Sequence, residues 1–442
     1  MSNPMNQEQK TAERALDQVK KLGAQDAVVV VRASRGVEVQ VRDGKLEKLQ
    51  ESRSAGMTVH VYADGRYAAH TTSDLRPTEL NAFLSDAVKL TRMLDPDPER
   101  TLPPPELVLR KPAELPLSDA EYGKLDTDRR KKLAAAVDAA GHGDPRVISV
   151  TANLSDEDGG TVMLGSNGLH GVQRGTYYGL SAEVTVSEGD KRPEEWSQAA
   201  GRKLTALGMP EALGKEATQR ALDRIGAKTQ KGGELALVVE NRAVGTLLSF
   251  YLQAATGSAL QQKRSFLDGQ AGQLVASELL TLRDDPTLTD GLGSRSFDRD
   301  GLPAQAFPFI ENGKLLNFFV DWYYGKKLGM KPTSGGWSNL VATPGKDPLA
   351  ALVQQAKTGV LVTSFSGGNS NPLTGDFSVG IQGRLIVDGA IGPPVTEMNL
   401  TGNHKTFWKR LEALGNDPWL AGSLRVPSLR FAGAAIAGGK VV

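Results

Sequence analysis

Cysteine is absent from all 442 residues, and histidine occurs five times, as His60, His70, His142, His170 and His404. Without a thiol there is no disulfide framework, zinc ribbon, iron–sulfur cluster or thiolate nucleophile. No two histidines stand three to five residues apart, as a helical metal pair requires, and neither HExxH nor HExxxH occurs. Long apolar runs are missing too: nothing approaches the ~18 residues of a membrane span. The opening MSNPMNQEQKTAER is polar and lacks the apolar core of a secretion signal. Charge of either sign is not in excess, since 52 Lys and Arg face 51 Asp and Glu. A balanced surface supplies no global field for nucleic acid or an anionic membrane. These shortages describe a soluble, cytoplasmic protein with neither nucleic acid nor membrane as partner.

What is present reads as alternating helices and strands. Ala12, Ala15, Leu16, Val19 and Leu22 recur at helical spacing, and Gly23 follows as a stop. Ala27 to Val31 is a continuous β-branched run, whereas Val37, Val39 and Val41 alternate with polar residues as in a half-buried strand. Asp43-Gly44 marks a turn. Residues 56–62 and 67–70 form a hairpin across Ala63-Asp64-Gly65-Arg66, and helical period returns over 78–94. Seven prolines between Pro96 and Pro116 forbid regular structure, so this stretch is expected to connect elements over the surface. Helices are expected over 126–140, 194–207 and 214–225, with strands near 147–154, 160–164 and 180–186. The segments opening at Gly56 and Gly179 echo one another, each a strand leading to a turn and then a helix. A duplication would leave that pattern, although similar strands also arise by chance.

After Lys231-Gly232-Gly233 the composition changes. A short apolar strand over 235–239 and a helix over 242–261 precede a Gly-rich, strand-like remainder, with hairpin turns at Asn312-Gly313 and Asp388-Gly389. The fold class is therefore α+β in two domains. Residues 1–230 form a domain of mixed helices and antiparallel strands, with the Pro-rich connection 95–116 inside it. Residues 231–442 form a β-rich domain around a large, mainly antiparallel sheet.

The common catalytic signatures are missing: no Walker A loop, no GxSxG elbow, no SxxK pair and no GxGxxG after a strand. The densest unusual segment is Gly367-Gly-Asn-Ser-Asn-Pro-Leu-Thr-Gly-Asp-Phe-Ser378. Its Gly and Pro positions suit a tight connection. Asn369, Asn371 and Asp376 serve equally as turn formers or as polar groups offered to a peptide or partner. Arg129 to Lys132 is a basic cluster without aromatic interleaving and reads as a solvated helix face. Phe318, Phe319 and Trp322-Tyr323-Tyr324 read as core or interface aromatics.

Several segments together resemble the TldD/PmbA family, long labelled modulators of DNA gyrase, and specifically its PmbA (TldE) branch. They are Glu51 to Leu75 (ESRSAGMTVHVYADGRYAAHTTSDL), the Gly367–Ser378 loop, Asn399-Leu-Thr-Gly-Asn403 with Leu414-Gly-Asn-Asp417, and Pro427-Ser-Leu-Arg430. The resemblance implies a cytosolic two-domain α+β protein and a proteolytic pair, in which a TldD-type subunit carries Zn²⁺ on an HExxxH helix. Such pairs act on unfolded peptides. The equivalent helix here is Val244 to Ala255, and the matched ligand and base positions become Ser249, Phe250 and Ala254. Serine is a poor zinc ligand, and Phe and Ala can neither ligate nor act as a base. The expectation is thus a non-catalytic subunit without a cofactor of its own. Zinc is expected in a TldD-like partner, joined as a heterodimer, while a homodimer is the other assembly open to the chain. Two alternatives stand beside it. One is a metallopeptidase using ligands such as His60, His70, His170 or His404 with carboxylates. The other is a regulatory protein that binds gyrase or an RNA-binding regulator.

Overall fold

The computed structural model describes residues 5–113 and 115–439; Met1 to Pro4 of the polar N-terminus and Glu114 of the Pro-rich connection lie outside them. Helix α1 (Asn6–Lys21) opens the chain, followed by β1 (Asp26–Arg42), β2 (Lys45–Ala63), β3 (Arg66–Thr72) and α2 (Pro77–Thr91). After the Pro-rich stretch come α3 (Thr127–Gly141), β4 (Val147–Gly165), β5 (His170–Val186), β6 (Glu194–Gly201) and α4 (Pro210–Leu222). The six strands make one antiparallel sheet in the order β3-β2-β1-β4-β5-β6. The same helix–three strands–helix unit therefore occurs twice, joined through β1 and β4 at the centre of the sheet. The offset between Gly56 and Gly179 carries the pair Ala27↔Val61 onto Val150↔Val184, so the echo in the sequence is matched in strand register.

β1 unites the two patterns that read as separate strands. On one face, Ala27, Val29 and Val31 are buried against α1 and α2, and Val37, Val39 and Val41 against α3 and α4. On the other face, Val28 and Val30 are covered by Val108 and Phe297, but no such cover reaches the second half. Burial on both faces selects a continuous apolar run and burial on one selects alternation, which explains both halves of a single strand.

One expected helix is a strand. Residues 194–201 pair with β5, and only Leu204–Leu207 is helical, as a 3₁₀ turn. Glu, Gln and Ala in this segment favour helix. Their inward positions instead carry buried polar groups with dedicated partners: Glu195 pairs with Arg224 (3.1 Å) and Ser197 donates to Glu216 (2.8 Å).

The second half of the chain opens with β7 (Gly233–Val239), α5 (Asn241–Gln253) and α6 (Gly257–Gln261), so the expected 242–261 helix is broken at Ala254–Thr256. Then follow β8 (Leu282–Asp284), β9 (Phe307–Glu311), β10 (Lys314–Leu315), α7 (Trp322–Leu328), β11 (Leu340–Ala342) and α8 (Leu349–Ala356). The remainder is β12 (Gly359–Ser370), β13 (Asp376–Val387), β14 (Ala390–Asn403), α9 (His404–Phe407), β15 (Leu411–Leu414), β16 (Leu424–Arg425) and β17 (Leu429–Ala437). A small sheet runs β10-β9-β8-β11-β16 and a larger one β14-β13-β12-β7-β17-β15. The larger sheet curls until Asn399–Thr401 of β14 meet Ala435–Ala437 of β17, closing a ring at one end. Its pairings are antiparallel except β12 with β7. Helix α5 lies in the main core, burying Val244, Leu247, Leu248, Tyr251 and Leu252 with sheet residues such as Val239, Val360 and Val379. The α+β class with large antiparallel sheets is as expected.

Candidate functional site

The face of the first sheet turned away from its four helices forms the floor of a long groove. Strand alternation puts Val28, Val30, Arg32 and Ser34 of β1 on that face, beside Thr58 and His60 of β2, Thr161 and Met163 of β4 and Gln173 of β5. Three cavities of about 320, 540 and 360 Å³ adjoin along it. The first two share Arg32, Thr161 and Gln173, and the last two share His60, Met163 and Arg299. The opposite wall comes from residues 295–300 and 321–324 of the second half.

The Pro-rich stretch is more than a surface connection, because it seals one end of this groove. Leu109 donates its amide to Gly301 O and accepts that of His170 (2.8 and 2.7 Å). Tyr323 donates its hydroxyl to Asp97 (2.7 Å), and Lys327 lies 3.4 Å from the same carboxylate. The Arg100 guanidinium stacks 3.3 Å from the Tyr323 ring centre and 4.9 Å from that of Tyr67. Trp322 to Tyr324 therefore do form an internal interface, from a helix rather than a strand.

Charge in the groove is mixed. Arg32 and Arg299 are exposed along it. Burial raises the Asp298 carboxyl above the ordinary carboxylate range, and the charge of Asp300 adds to this; the amides of Leu302 and Asp300 on Oδ1 oppose it. Asp298 Oδ2 is buried without a hydrogen-bond partner. Asp300 is raised by burial too, against the Trp322 amide that it accepts at 2.9 Å. Burial, with the charges of Arg32 and Arg100, pushes the His60 imidazole down to about 4, and its Nδ1 meets the Tyr67 hydroxyl at 2.9 Å. A cleft lined by several shifted groups is where binding or chemistry concentrates. Of the groove's titratable residues the sequence pointed only to His60, as an alternative metal ligand, and to none of the arginines or carboxylates. The signal available was the charge-dense turn Asp298-Arg299-Asp300-Gly301, which resembles an ordinary surface loop.

The positions matched to the metal helix fall in α5 and at its end. Ser249 donates its hydroxyl to Thr246 O of its own helix (2.7 Å). Phe250 packs against the main core, and Ala254 has no exposed surface. This donor set, one committed hydroxyl and two side chains without lone pairs, does not fit a zinc ion, and no metal-dependent step is assigned to α5.

The four histidines considered as alternative ligands are not brought together. His70 Nε2 meets Thr91 Oγ1 (3.0 Å) on the helix side of the sheet, His60 faces the groove, and His170 Nε2 is buried without a partner. Fully buried His404 stacks between Phe266 and Phe377. Trp408 Nε1 can only donate, so His404 Nδ1 accepts from it (3.1 Å), and Nε2 carries the proton offered to Ser370 Oγ (3.2 Å). Among the described residues, one group alone has metal-holding spacing, and it contains none of these four: Asp43, Asp138 and His142.

The Gly367–Ser378 loop continues β12 and turns at 371–375, on the rim of a cavity of about 300 Å³ beside His404. Asn371 Oδ1 accepts the Leu373 amide (2.9 Å), and Asp376 accepts from Asn403 Nδ2 (2.7 Å), a bond that lowers its carboxyl pKa. Both side chains thus hold the loop and the end of β14, whereas Asn369 is exposed. The basic cluster is also divided: Arg130 is 2% exposed and paired with buried Asp156 through two bonds (2.6 and 2.8 Å), so it is core and not solvated face.

Three family models match the chain consecutively: PmbA/TldA metallopeptidase domain 1 over residues 27–91, the central domain over 121–225 and the C-terminal domain over 232–438. A Bacteroides thetaiotaomicron protein, described as a candidate modulator of DNA gyrase, is 37% identical and superposes with a TM-score of 0.95, covering 99% of this chain and 100% of its own. TldE from Thermococcus kodakarensis shares the fold at 23% identity, with a TM-score of 0.84 over 97% of this chain and 100% of that one. The metalloprotease PmbA of Escherichia coli O157:H7 is 26% identical over 92% of each chain. Consecutive models over nearly the whole length, with a solved relative above 30% identity, place this chain in the PmbA/TldD metallopeptidase family.

Proposed function

We propose that this chain is a non-catalytic PmbA/TldE-type subunit that pairs with a metal-bearing TldD-like subunit and helps hold unfolded peptide for cleavage. The observation that carries this reading is α5, where Ser249, Phe250 and Ala254 occupy the positions matched to the metal helix. The similarity to proteins named metalloprotease PmbA and to TldE supports it. The peptide's place is the groove. Its floor is the face of the inner strands β2, β1, β4 and β5, each already paired on both sides, so recognition runs through side chains and not through an added strand. Exposed Arg32 and Arg299, the Tyr67–Arg100–Tyr323 stack and the carboxyls of Asp298 and Asp300 offer contacts for either charge and for aromatic side chains, which suits a broad range of sequences. Among the described residues no helix is long and apolar enough to cross a membrane.

The test is cleavage of an unstructured peptide by this chain alone, by a TldD-like chain encoded in the same genome, and by the two mixed, each with and without a chelator. Activity that needs the TldD-like chain, and rises when this chain is added, is the expected result. Chelator-sensitive cleavage by this chain alone would overturn the reading. Arg32→Glu with Arg299→Glu should weaken the binding of acidic peptides about tenfold or more without changing the fold, as seen by anisotropy.

A further inference from the structure

The turn between β1 and β2 meets the C-terminal end of α3 in a cluster that the peptide reading does not use. His142, the residue after the last turn of α3, points Nε2 at two carboxylates: it lies 3.6 Å from Asp43 Oδ1 and 3.8 Å from Asp138 Oδ1. All three ligand atoms fall within 4.8 Å of one another. Asp138 is 2% exposed, yet its Oδ1 is buried with no hydrogen-bond partner. A buried carboxylate oxygen left unpaired is costly, so its direction toward His142 and Asp43 calls for an occupant.

The other atoms of the cluster are already committed. Asp138 Oδ2 accepts the Gly44 amide (2.9 Å). Asp43 Oδ2 accepts the Ser149 hydroxyl (3.1 Å), with Arg42 Nε 3.9 Å away, and Oδ1 accepts the Val150 amide (2.8 Å) while keeping a second lone pair. These bonds orient each carboxylate as outer-shell partners orient metal ligands. Two carboxylates against one arginine leave a net negative charge beside the imidazole, and the carbonyl end of α3 adds to the negative potential.

We propose that Asp43, Asp138 and His142 bind a divalent first-row cation of the Zn²⁺ class, clamping the β1–β2 turn to α3. One imidazole nitrogen with two carboxylate oxygens suits zinc better than the all-oxygen sites of Ca²⁺ or Mg²⁺. Bonds of about 2.0–2.2 Å put neighbouring tetrahedral ligands about 3.4 Å apart, so the two spacings from His142, 3.6 and 3.8 Å, need to close by only a few tenths of an ångström. Asp43 and His142 are exposed, which leaves the fourth position to water. None of the three residues lines the groove or the cavity beside His404, and the ion is therefore structural.

The experiment is a calorimetric titration of ZnCl₂ into untagged, chelator-stripped full-length protein, paired with thermal unfolding with and without Zn²⁺. One equivalent should bind with a Kd of about 10 µM or tighter. His142→Gln and Asp43→Asn should each weaken it by about tenfold or more and abolish the Zn²⁺-dependent rise in Tm. Both variants spare the buried Asp138, and Asn tolerates the left-handed backbone of position 43 (φ 49°), so both should fold. Absence of saturable binding in the wild type would overturn the proposal. Binding unchanged in both variants would overturn it as well.

Discussion

A buried ion pair and a buried histidine show how single residues constrain this protein. Arg130 of α3 and Asp156 of β4 satisfy each other between helix and sheet, and truncating either would strand a charge at a cost of about 3–5 kcal/mol. His404 is held neutral by a different arrangement: burial pushes its imidazole from 6.5 down to about 4, and Trp408 and Ser370 fix one tautomer. In the unfolded chain the same ring takes up a proton below pH 6.5, which the native site refuses. His404 therefore costs nothing above pH 6.5 and destabilises progressively as pH falls from 6.5 to 4, by roughly 3 kcal/mol in all. His60 acts in the same direction. Urea unfolding at pH 7.5 and pH 5 should show this loss, and His404→Gln should reduce the pH dependence in that window. An unchanged slope would refute the assignment.

At the scale of elements, α3 and α4 cross closely because position 214 has no side chain. A Cβ there would sit 2.2 Å from Val137 O, a backbone atom that cannot move aside. Gly to Ala inside a helix ordinarily gains up to about 1 kcal/mol. Gly214→Ala should instead destabilise by about 1–3 kcal/mol through forced separation of the two helices, measurable as a lower urea midpoint. Periodicity located α1, which ends two residues before the Gly23 stop, because its apolar stripe meets a single surface. It also located the turns at Asp43-Gly44 and Asn312-Gly313, where both central residues have positive φ. Periodicity failed at β6, where the inward positions are Glu195 and Ser197, and their partners Arg224 and Glu216 come from more than 15 residues away. Local pattern cannot register a polar residue that is buried only because a distant partner satisfies it.

Across the whole molecule, the Pro-rich stretch ties the first sheet to residues 297–327 and so shapes the groove. Its hold depends on a few side chains, chiefly Asp97 and Arg100 against Tyr323 and Lys327. Replacing Arg100 with Ala removes a stacked cation worth about 1 kcal/mol, so the stretch should open roughly fivefold more often. Proteinase K should then cut within residues 95–113 several times faster than in the wild type, while global stability changes little. Equal cleavage rates would mean that the stretch is held by its backbone bonds alone.

The sequence by itself determined the α+β class, most helices and hairpins, and the lack of a ligand set in α5, since these depend on residue type and local spacing. It also carried the family resemblance. Only the tertiary structure decided which polar residues are buried, as with Arg130 and His404, and which distant ones converge. The groove exists because β1 exposes one face where the second half of the chain folds back over it. Asp43, Asp138 and His142 meet because a turn and a helix end about a hundred residues apart are brought together by packing on the same sheet. Convergence of that kind is a property of chain topology, which periodicity and motif spacing do not encode.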